Sequence, residues 1–162
     1  MRIFLSVVMA ISVSTAAMGQ AAPRTTVPPG VKDSLHHILQ EENSGLREAI
    51  RSVVRDSATW RQWWERVTAD RRVRPQLPVV NFARDMLVIV ALGTQSSTGY
   101  NVNVDSVTSS GRVSRVYVRV AGPGRGCVVG NAETSPVDVV RVPKSGPLVA
   151  FVERTYADDC KG

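Results

Sequence analysis

The seven residues from Met86 to Leu92 form an uninterrupted apolar run between Arg84-Asp85 and Gly93. It is too short to span a bilayer, which takes about 20 apolar residues as a helix. It fits a central strand covered on both faces. Tyr100, Val102 and Val104 alternate with Asn101, Asn103 and Asp105, and Val116, Val118 and Val120 alternate with Arg115, Tyr117 and Arg119. Alternation of this kind marks half-buried strands, and Ser109-Ser110-Gly111 supplies the turn of a hairpin. Val137 to Val142 and Leu148 to Val152 read as two further strands, with Pro143 to Pro147 as a second turn.

Upstream, Asp56 or Ser57 is a good N-cap, and Trp60, Trp63, Trp64 and Val67 fall at i, i+3, i+4 and i+7. The spacing predicts an amphipathic helix whose bulky face packs on a sheet; the competing role for such a stripe is an exposed carbohydrate platform. Residues 46 to 54 fit a helix through Leu46, Ile50, Val53 and Val54 and a strand through Ile50, Ser52 and Val54, so periodicity leaves both open. Leu35, Ile38 and Leu39 at helical spacing predict one or two helical turns. The expected fold class is mostly β (α+β): an antiparallel sheet or sandwich-like domain with one packed Trp-rich helix.

Arg2 followed by the apolar stretch Ile3 to Val13 and small residues ending at Gly19 reads as a cleavable signal peptide, residues 1–19. Residues 20–45, with Pro23, Pro28 and Pro29, read as a flexible tether carrying the short helix, and 46–162 as one β-rich domain. The expected location is therefore exported, periplasmic or extracellular, with no stable membrane insertion once the leader is removed. Two cysteines in an exported chain point to a disulfide between Cys127 and Cys160. Closing that loop stabilises by roughly 3.5 to 4 kcal/mol in the chain-entropy view. The net charge of +6 favours acidic surfaces without naming one, and the arginines are scattered with no basic block, so nucleic acid is not an expected partner.

Catalytic signals are weak. A nucleophile needs a nearby base, and the only histidines, His36 and His37, are adjacent in the segment read as helix, where neighbours do not face one another. There is no Cys-x-x-Cys, no His pair at i, i+4 and no calcium-loop spacing, so no metal or cofactor is expected. Gly122, Gly124, Gly126 and Gly130 do not make a dinucleotide fingerprint and are expected to supply positive φ angles in a wide loop held by Cys127. What remains is two polar, glycine-bearing loops at strand ends, Gly93 to Tyr100 and Gly122 to Cys127. Loops carried on rigid strands are common recognition surfaces. The candidate partner-binding residues are Ser97, Thr98, Gly99 and Tyr100 on the first loop and Gly124, Arg125 and Gly126 on the second.

Leu77-Pro78, Asn81-Phe82, Met86 and the apolar run to Gly93, then Gly99-Tyr100, Gly124-x-Gly126-Cys127, Ala132-x-Thr134-x-Pro136 and Val142-Pro143-Lys144 resemble the C-terminal domain of the protease complex subunit PrcB. The resemblance covers roughly residues 77 to 152. Thr98 departs from it where a second Gly is common, and Val137 departs where an aromatic is frequent. The resemblance implies a strand in the 48 to 54 segment ahead of the Trp helix. It also implies a non-catalytic accessory subunit of an exported serine protease, with a protease or other protein as partner. A narrower similarity links Gln95-Ser96-Ser97-Thr98-Gly99-Tyr100 to the Asn-Pro-Thr-Thr-Gly-Tyr loop of chagasin-type cysteine protease inhibitors, through Thr98, Gly99 and Tyr100. A carbohydrate-binding module built on the tryptophans is the third reading, and exposure of Trp60, Trp63 and Trp64 discriminates it.

Overall fold

The structure is a computed structural model that describes residues 35–158. The segment read as a leader, the segment read as a tether as far as residue 34, and Cys160 lie outside the described residues. The chain runs β1 (His36–Glu41), β2 (Ala49–Val54), α1 (Ser57–Val67), β3 (Asp85–Leu92), β4 (Asn101–Ser110), β5 (Val113–Pro123), β6 (Val137–Pro143) and β7 (Leu148–Asp158). It is mostly β, with two sheets and one short helix. The four-stranded sheet has the order β1-β6-β3-β2 and the three-stranded sheet the order β4-β5-β7.

Strand β3 explains the architecture. Leu87, Ile89 and Ala91 point to one side and share a buried cluster with Trp60, Trp64 and Val67 of α1 and with Val137 and Val139 of β6. Met86, Val88 and Val90 point to the other side and pack with Val102, Val104 and Val107 of β4 and Val116 and Val118 of β5. The helix therefore covers one face of the four-stranded sheet and the second sheet covers the other, which is why the run from Met86 is apolar without alternation.

Helix α1 starts at Asp56, whose carboxylate accepts a hydrogen bond from Thr59 N at 2.8 Å. Trp60 and Trp64 are 1% and 4% exposed, with ring centroids 5.2 Å apart, so neither is available to a ligand. Their indole N–H groups donate to the carbonyls of Pro78 and Pro75, at 3.0 and 3.1 Å, so the proline-bearing segment after the helix satisfies the buried donors. Trp63 sits at the rim, with the Arg66 guanidinium 4.4 Å from its ring centre.

Three expectations need correction. Residues 36–41 form a strand, not helical turns, and pair antiparallel with β6 from His36↔Arg141 to Glu41↔Val137. A bulge at Ile38 lets the consecutive Ile38 and Leu39 pack against the same cluster, which in sequence imitates helical spacing. The folded unit accordingly begins ahead of residue 46: Ser44 is buried and exchanges hydrogen bonds with Ser135, N to Oγ and Oγ to O, both at 2.8 Å.

The expected antiparallel pattern also fails at one pair. β7 runs parallel to β5, in register from Val113↔Leu148 to Pro123↔Asp158. Residues 144–147 carry the chain from one sheet to the other and do not close a hairpin. Arg55 holds this crossover by donating to the carbonyls of Ser145 and Gly146, at 3.0 and 2.7 Å. Lastly, of the four glycines from Gly122 to Gly130, only Gly126 has a positive φ, at 87°.

The sheets are joined at both sides. Asp138 on β6 is fully buried and its Oδ2 accepts the amide of Val104 at 2.8 Å. A bulge in β4 between Val104 and Ser106 breaks the ladder beside that amide, and the carboxylate supplies the acceptor. On the opposite side Arg51 of β2 makes a two-point ion pair with Glu153 of β7, at 2.5 and 2.9 Å.

Candidate functional site

The two loops singled out in the sequence lie at the same end of the domain, and the first is hydrogen-bonded to the segment that follows the second, at Gly130 and Thr134. Gly93 turns the chain out of β3 at φ 73°, where any added Cβ would lie 2.8 Å from the carbonyl oxygen of Arg47. Beyond it, Gln95 and Thr134 exchange backbone hydrogen bonds of 2.7 and 3.0 Å, and Thr134 Oγ1 donates to Ser97 O at 2.9 Å. Thr98 N donates to Gly130 O at 3.1 Å, and Gly130 N donates back to Thr98 Oγ1 at 2.7 Å. The Tyr100 ring lies over Gly122, where a Cβ would come within 3.1 Å of the ring edge. The first loop is thus braced along its length by the segment between β5 and β6.

The second loop is a tight turn. Cys127 N donates to Gly124 O at 3.2 Å, and Gly124 N donates to Asp158 O at 3.0 Å, tying the turn to the end of β7. Arg125, Gly126 and Gly99 are exposed, whereas Ser97, Thr98, Tyr100 and Gly124 are half-buried. The candidate residues therefore divide into a brace and a tip. Sequence reasoning missed Val128, whose side chain is fully exposed beside Arg125, and Val129, which flanks Gly99. An isolated valine pair in a Gly-rich loop carries no periodic signal, so only the fold shows that it faces solvent.

Cys127 Sγ lies 3.4 Å from the carbonyl oxygen of Asp158. Cys160, its expected partner, is outside the described residues and follows Asp158 by two positions.

His37 has a partner that the sequence did not reveal: its Nδ1 is 2.8 Å from Asp138 Oδ1. Burial pushes the Asp138 carboxyl above its ordinary value, against the opposing pull of the hydrogen bonds from Val104 N–H and His37. The pair ties β1 to β6, and among the described residues no hydroxyl or thiol is hydrogen-bonded to His37. No group of three or more His, Cys, Asp or Glu able to hold a metal ion occurs among the described residues, and no helix there is long and apolar enough to cross a membrane.

The order of β3, the braced loop, the β4–β5 hairpin, the tight turn and β6 is also the order of the residues that carry the family resemblance. Residues 86–143 match the family described as PrcB C-terminal. The match begins on the first fully buried residue of β3 and ends on the last residue of β6. It takes in both loops and leaves β1, β2, α1 and β7 outside. No curated protein and no solved structure matches the chain.

Both departures from the PrcB C-terminal pattern have a place in this structure. Thr98 supplies the hydroxyl that accepts the Gly130 amide, which glycine could not do. Val137 is fully buried against the helix-side cluster, where the three tryptophans already bring the aromatic bulk to this side of the sheet.

Proposed function

We propose that this chain is an exported, non-catalytic accessory subunit that binds a protease through the end of the domain formed by residues 93–100 and 122–136. The observation that carries this reading is the reciprocal bonding of Thr98 with Gly130, which fixes one loop against the other and leaves Arg125 and Val128 projecting from a held backbone. A surface ordered before binding loses less entropy on docking, and arginine is among the residues enriched where binding energy concentrates. The PrcB C-terminal match supports a protease as the partner class. The two sheets act as a sandwich-like scaffold, and a Cys127–Cys160 bridge locks the tight turn to the chain end after β7.

The test is affinity capture from the exported fraction with tagged protein lacking residues 1–19, followed by labelling of captured proteins with a fluorophosphonate probe. The reading expects a labelled serine hydrolase in the captured material and no peptide or ester hydrolysis by the purified subunit alone. Turnover by the subunit itself, or capture with no labelled hydrolase, contradicts it.

A further inference from the structure

On the outer face of the three-stranded sheet lies a groove of about 680 Å³ that borders the loop end: Asn101 follows Tyr100, Ala121 precedes Gly122, and the Asp158 carbonyl accepts the Gly124 amide. Its construction follows from the register. Asn101 of β4 stands opposite Ala121 of β5, and Ala121 stands opposite Tyr156 of β7, so one row across the three strands runs amide, methyl, phenol ring. The small central residue leaves a trough between the amide and the ring. In the next row Asn103 faces Arg119. Arg119 is held by Asp105 at 2.9 Å, and Gln40 of β1 lines the same groove from the neighbouring sheet.

The chemistry of this lining selects among ligand classes. Three carboxamides, from Gln40, Asn101 and Asn103, each offer two donors and an acceptor. Vicinal hydroxyls, which both donate and accept, are their natural complement. Tyr156 is 46% exposed and presents an apolar ring face beside them. Phosphate-bearing ligands are disfavoured because the one lining arginine is paired with Asp105 and Asp158 adds a second carboxylate. Lipids and other apolar ligands would leave the amides without partners. The volume lies within the range of small-ligand sites.

We propose that this groove binds a neutral oligosaccharide, with the Tyr156 ring stacked on a sugar face and Asn101, Asn103 and Gln40 hydrogen-bonded to its hydroxyls. None of the groove's lining residues lies in the docking segments 93–100 and 122–136, which Asn101, Ala121 and Asp158 border.

The experiment is calorimetric titration of the mature chain with cellotriose, maltotriose and the trimer of N-acetylglucosamine, with trigalacturonate as the anionic comparison. At least one neutral trisaccharide is expected to bind. Tyr156→Ala and, separately, Ala121→Gln, which fills the trough, are expected to weaken that binding tenfold or more with an unchanged melting temperature. Asn103→Asp, at a half-buried position, serves as a further variant should either of these fail to fold. The proposal is overturned if none of the three neutral sugars binds at millimolar concentration, if trigalacturonate alone binds, or if the folded variants bind as the parent does.

Discussion

Thr98 and Gly130 bond to each other twice, backbone amide to carbonyl and backbone amide to hydroxyl, across the two loops that end the domain. The hydroxyl half of this exchange depends on one side chain. Thr98→Gly removes the acceptor of the Gly130 amide and should cost about 0.5 to 1.5 kcal/mol, the usual net worth of one such bond. Thr98→Ser keeps the oxygen and should restore most of it. Amide hydrogen exchange at Gly130 is the local readout: faster exchange in the glycine variant and near-parental exchange in the serine variant.

The tryptophans differ in what they hold. Trp60→Ala empties a fully buried site and strands the Pro78 carbonyl, so a loss of about 3 to 5 kcal/mol is expected from its denaturant midpoint. Trp63→Ala, at the rim beneath Arg66, should cost clearly less. Equal losses at the two positions would contradict the placement of the helix.

Asp138 links stability to pH. Its carboxyl titrates above its ordinary value in the folded chain, so the native state binds its proton more tightly than the unfolded state does. The contribution of this group is therefore full below the ordinary carboxylate value and is lost as pH rises through the raised native value. Asp138→Asn keeps an acceptor for the Val104 amide but cannot ionise, so that part of the pH dependence should vanish in denaturation curves taken across the acid range. Asp138→Ala leaves the buried amide without a partner and should cost about 1 to 3 kcal/mol at the acid end of the range, where the contribution of the group is full.

The proposed pairing of Cys127 with Cys160 is checked by mass spectrometry of non-reduced peptides from the native protein. A single linked peptide pair is expected, and replacing both cysteines by serine should remove roughly 3.5 to 4 kcal/mol. Free thiols in the native protein would contradict the bridge.

Much of this fold is legible in the sequence because local pattern and tertiary role agree. The Met86 run, the alternation on either side of Gly111 and the spacing of the tryptophans each read directly as β3, the β4–β5 hairpin and α1. β1 was not legible, because the bulge at Ile38 places neighbouring residues on one side and imitates a helix. The outer half of β7 was not legible either: Glu153 to Asp158 are exposed and carry no apolar alternation, and their strand conformation comes from the parallel ladder with β5. The same limit applies to the loops. Their composition marked Thr98 and Arg125, but the contact between Thr98 and Gly130 depends on how β3, β5 and β6 are stacked.

Calorimetric titration of the captured protease against the parent subunit and the Arg125→Ala, Val128→Asp double variant tests most directly whether the braced loop end is the protease-docking surface. Arg125→Ala and Val128→Asp alter exposed tip residues that make no core contact, so the melting temperature should hold. Together they are expected to weaken binding by about 2 kcal/mol or more, as loss of an interface anchor does. An affinity equal to that of the parent subunit in the folded double variant would contradict the claim.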